Sequence, residues 1–108
     1  MKRQMIVVLV TTPSKKVGQQ IAKDLLEKNL AACINIISPI ESFYTWQGET
    51  CDDEETLLII KSRAELFEHQ LIPAIQRIHP YEVPEIIALP IIMGLGDYLN
   101  WVEEMTSA

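Results

Sequence analysis

The densest concentration of chemically capable side chains is His79-Pro80-Tyr81-Glu82-Val83-Pro84-Glu85. Two prolines stiffen a segment that holds an imidazole, a phenol and carboxylates close together. His79 and Glu85 offer nitrogen and oxygen donors of the kind a borderline metal such as Cu²⁺ or Zn²⁺ accepts. The other reading is structural: His79 caps the helix before it and Glu85 pairs with Lys61 or Arg63. A nucleophilic reading sets Cys33 against His79 as its base. Against it, Cys33 opens an apolar stretch and reads as a small core residue. The run Asp52-Asp53-Glu54-Glu55 alternates faces if it is a strand, so at most two of its carboxylates converge on one ion. A solvated cluster protecting a sheet edge is the simpler reading. His69 reads as a solvated helix residue, and Tyr44, Trp46, Tyr98 and Trp101 as lining a cleft between subunits or filling an interface. No Gly-rich phosphate loop, GxSxG elbow or HExxH motif occurs.

These residues sit on elements that the hydrophobic pattern marks out. Met5 to Thr12 is a continuous β-branched, apolar run, the pattern of a strand buried on both faces. Ser14 is a good N-cap for a helix whose apolar stripe is Val17, Ile21, Leu25 and Leu26, and Asn29 is placed to close it in a left-handed conformation. Gly18 inside that helix implies close packing against a sheet. Ala32 to Trp46 reads as a strand, with Pro39 implying a bulge or a second half that leaves the main sheet. Gln47-Gly48-Glu49 is a turn and Thr56 to Lys61 the next buried strand, so the pair forms an antiparallel hairpin. A second helix is expected from a Ser62 N-cap through Phe67, Leu71, Ala74, Ile75 and Ile78. Pro73 forces a kink or an added residue in it. Glu85 to Pro90 is a last strand, and Asp97 is expected to cap a C-terminal helix through Trp101.

The order β-α-β-β-α-β is that of an α+β, ferredoxin-like antiparallel sheet with both main helices on one face, here with an additional C-terminal helix. Strands that are apolar on both sides cannot leave the second face in water, so the chain is expected to self-associate. The distal hairpin, Glu41 to Asp53, is a natural device for pairing with a neighbour's strand edge. The chain has 108 residues, 48% of them apolar, which fits one domain over residues 1–108. A net charge of −6 disfavours a nucleic-acid partner, and no apolar run reaches the ~18 residues of a membrane span. The N-terminus does not read as a signal peptide, and Cys33 and Cys51 lack the spacing of a zinc site or a disulfide framework. A cytoplasmic protein with reduced thiols is the resulting expectation.

Taken as a set, these segments give a chain that resembles the CutA family of divalent-cation tolerance proteins. The residues that carry the resemblance are Val7-Val8-Leu9 with Thr11-Thr12-Pro13, Leu30-Ala31-Ala32-Cys33-Ile34-Asn35, Ser42-Phe43-Tyr44-Thr45-Trp46-Gln47-Gly48, Lys61, the segment His79 to Glu85, and Tyr98-Leu99-Asn100-Trp101. The resemblance implies a homotrimer with the sheets packed inward, no enzymatic activity, and weak binding of Cu²⁺ or another divalent cation. It places the metal at His79 and Glu85, and an inter-subunit cleft at Cys33, Tyr44, Trp46, Lys61, Tyr81 and Trp101. The chain departs from the family pattern at Val10 and Ile78, where members credited with copper ligands carry Cys and His. Its second helix is also one residue longer near Pro73. The alternative is a signalling trimer of the PII type, which binds a nucleotide or small metabolite between subunits.

Overall fold

The computed structural model describes residues 3–107. Strand β1 (Met5–Thr12) leads into helix α1 (Lys15–Glu27), then β2 (Cys33–Trp46) and β3 (Glu49–Arg63) form the hairpin. A second helical segment, α2, begins as a 3₁₀ turn at Ala64–Leu66, widens into a π-helical turn at Phe67–Leu71 and ends as α-helix over Ile72–Ile78. Strand β4 (Ile86–Pro90) and helix α3 (Gly96–Met105) complete the order. The four strands form one sheet in the order β2-β3-β1-β4, with every neighbouring pair antiparallel. This is the arrangement expected from the element order.

Local chemistry explains most boundaries. The Ser14 hydroxyl accepts from the Val17 amide at 3.2 Å and caps α1. Asn29, at φ 57°, turns the chain out of the helix. Gly18 meets the sheet so closely that a β-carbon there would lie 2.9 Å from Leu58 Cδ2. The hairpin turns on Gln47 and Gly48, both at positive φ, a pairing that suits the right-handed twist of the flanking strands. Pro73 has no N–H to give the carbonyl four residues back, and the helix responds with an added residue: the Ile72 amide reaches back to Phe67 through a π turn.

Three expectations are corrected. Ser62 does not cap α2; it lies buried in β3, where its hydroxyl donates to the Leu30 carbonyl at 2.6 Å. The strand runs on because Arg63 is still paired with Met5 of β1. Helix α3 starts from Leu95 with no side-chain cap, and Asp97 sits inside its first turn, where its charge suits the helix dipole. Cys33 is half-exposed rather than a core residue, because it belongs to the side of the sheet away from α1 and α2.

The core sits between that sheet and the first two helices. Val8, Val10, Leu58 and Ile60 from the central strands close on Ile21 and Leu25 of α1 and on Leu71 and Ile75 of α2. On the opposite side, α3 crosses only one end of the sheet, burying Val102 with Met5 and Ala32. It is tied down by Arg63, whose Nε and Nη2 donate to the Thr106 hydroxyl and carbonyl at 2.8 and 2.7 Å. The rest of that face stays open. The radius of gyration is 14.4 Å, against about 13 Å for a compact chain of this length, because the distal hairpin projects beyond the helices.

Candidate functional site

The outer half of the hairpin and the segment after α2 enclose one side of a pocket at the end of β1. How the side chains arrive there depends on a single irregularity. Ile37 pairs with Leu57, but Ile40 pairs with Glu55, so β2 carries one extra residue beside the cis Ser38-Pro39 bond. Beyond this bulge the phase of β2 is shifted. Residues opposite each other in an antiparallel pair share a face, so Ser42, Tyr44 and Trp46 join Asp53 and Glu55 on one side of the ribbon. Ser38 Oγ and Thr56 Oγ1, 2.7 Å apart, pin the bulge.

His79 forms the hinge of the opposite wall. Its amide donates to the Ile75 carbonyl and ends α2, as a capping residue should. Its buried ring then bridges two elements. The Tyr81 amide donates to Nδ1 at 3.2 Å, which leaves the ring proton on Nε2, and that proton goes to the Thr11 carbonyl at 2.7 Å. Both ring nitrogens are thereby engaged in fixing the segment to β1, and a metal ion would have to displace one of these bonds. The tilted His79–Tyr81 ring contact, with centroids 4.8 Å apart, aims the phenol into the pocket.

Tyr81 donates its hydroxyl proton to Glu55 Oε2 at 2.9 Å. Partial burial, then this bond and the charge of Asp53, push the Tyr81 hydroxyl from 10.0 up to about 12. Tyr44 likewise donates to Asp53 and is raised, chiefly by that hydrogen bond. The pocket holds about 630 Å³ and is lined by Glu55, Glu82 and Glu85, by Tyr44, Trp46 and Tyr81, and by Thr11, Ser42 and Phe43. Among the described residues no lysine, arginine or histidine lines it.

The expected site residues therefore divide. Glu85, Tyr44, Trp46 and Tyr81 come together at this pocket, with His79 as its buried support. Cys33 and Lys61 are paired six residues along β3 from Glu55, roughly 20 Å away at the rise of a strand. There Lys61 donates to Asn35, and the Tyr98 hydroxyl of α3 is raised by burial and by the neighbouring Cys33. Trp101 stacks against Tyr98 on α3, with ring centroids 5.7 Å apart. Cys33 and His79 are also apart, since Cys33 lies level with Val7 and His79 bonds to Thr11. Glu85 pairs with neither Lys61 nor Arg63, which are engaged by Asn35 and by Glu65 and Thr106. Among the described residues no group of three His, Cys, Asp or Glu side chains is arranged to hold a metal ion. Val10 and Ile78 both point into the helix-covered core.

The residue that the sequence reading undervalued is Glu55. Asp52, Asp53 and Glu54 are exposed as a solvated cluster should be, but Glu55 is only 8% exposed. Its signal was positional: it continues the alternate series Leu57, Ile59 toward the pocket.

Comparison with known proteins agrees with this architecture. The profile of the family described as CutA1 divalent ion tolerance protein matches residues 6–105. A divalent-cation tolerance protein CutA of Thermus thermophilus is 48% identical over 100 residues, covering 93% of this chain and 96% of the relative. A chloroplastic CutA of Arabidopsis thaliana is 46% identical over 101 residues, 94% of this chain but 55% of the longer relative. The solved structure of the divalent cation tolerance protein Cut A1 from Thermus thermophilus superposes with a TM-score of 0.92 at 47% identity, over 95% of this chain and 99% of that one.

Proposed function

The chain belongs to the CutA1 divalent ion tolerance family, and from that premise we propose that it acts as a cytoplasmic, non-enzymatic homotrimer that binds divalent cations weakly, copper among them. The observation that carries the cation reading is the charge of the pocket: three carboxylates line it and, among the described residues, no basic side chain does. Glu85 is the accessible ligand, and His79 contributes by holding the 79–85 segment against β1. It becomes a direct ligand only by giving up the Tyr81 amide at Nδ1 or the Thr11 carbonyl at Nε2. A single carboxylate with few fixed partners gives low affinity and little selectivity among ions.

The open face supports assembly as a trimer. Val7, Leu9, Leu57 and Ile59 of the central strands and Ile37, Ile87 and Leu89 at the flanks form one apolar surface that the chain's own helices leave uncovered. The loop residues Ile92, Met93 and Leu95 extend it. Burial of such a surface against two other copies removes apolar area from water. Among the described residues no helix is long and apolar enough to cross a membrane.

Calorimetric titration of the purified protein with Cu²⁺ tests the cation site. Weak binding that falls about tenfold in Glu85→Gln supports it, since that ratio corresponds to one charge-assisted contact. Copper affinity unchanged in both Glu85→Gln and His79→Ala would remove the assignment.

A further inference from the structure

We draw no further inference here: the strongest candidate, the cluster of Cys33, Asn35, Lys61 and Tyr98 at the α3 end of the open sheet face, lies beside the apolar surface assigned to neighbouring copies, and nothing in the structure shows what covers it.

Discussion

The two faces of the sheet are built from the same kinds of residue and have opposite fates. On one side Val8, Val10, Leu58 and Ile60 are wholly buried beneath α1 and α2. On the other, one residue out of phase, Leu89 is 50% exposed and Ile37 and Ile87 nearly as much. Only the end near Met5 is closed, by α3. Alternation on a strand assigns residues to faces, but it does not say what covers each face. The covered face is a finished core. The open one is an apolar surface of the kind that marks an interaction site.

The largest effect expected within this comparison is at the closed face. Leu58→Ala removes a fully buried side chain from against Gly18 and the core, and a loss of about 2–5 kcal/mol in denaturant unfolding is expected for such a truncation. Next is the one element that crosses to the other side. Arg63→Ala leaves Thr106 and the end of α3 without their charged donor, a loss of about 2–3 kcal/mol, with a changed Trp101 fluorescence as α3 loosens. At the open face, Leu89→Asp is expected to leave the circular dichroism of the subunit intact while lowering the mass in light scattering about threefold, since a buried unpaired charge opposes assembly. An unchanged mass would break the comparison by showing that this face is content in water.

The smallest effect lies beyond both faces, at the pocket. Tyr81 has its hydroxyl raised from 10.0 to about 12, so the folded protein holds this proton more tightly than the unfolded chain. Its contribution is fully present below pH 10 and is lost as the pH rises through about 12. Between those values the unfolded state binds fewer protons, and stability falls with pH. Tyr81→Phe is expected to flatten this part of the alkaline unfolding curve and to cost about 1 kcal/mol at neutral pH, as for one lost hydrogen bond. A curve of unchanged slope would show that the Tyr81–Glu55 bond does not distinguish the folded state.

Much of this was legible in the residue order because it depends on neighbours close in sequence. The β-branched run at Met5 to Thr12, the Ser14 cap, the Asn29 exit and the Gly18 approach each follow from local stereochemistry, and each stands in the structure. The added residue at Pro73 belongs to the same class, since a missing N–H acts within one turn. The limits of α2 and α3 were less legible. Ser62 and Asp97 are acceptable caps by type, but pairing with β1 kept the first in a strand and the chain entered α3 two residues before the second. Within one subunit Glu85, Tyr44, Trp46 and Tyr81 gather at the pocket, while Cys33, Lys61 and Trp101 lie elsewhere on its surface.

The sequence by itself therefore determined the order of elements, the apolar character of both sheet faces and the acidic, aromatic composition of the segments around the pocket. Tertiary structure decided which of those side chains meet. The bulge opposite Thr56 re-phases β2 so that Ser42, Tyr44 and Trp46 share a side with Glu55. The His79 ring commits both nitrogens to partners, one of them 68 residues away in sequence. Glu55, alike in type to the exposed acids before it, is buried where the Tyr81 hydroxyl donates to it. The physical reason is range. Periodicity and capping are set within a few residues, while register, burial of a charge and the engagement of a ring nitrogen arise from contacts that exist only once the distant strands have paired.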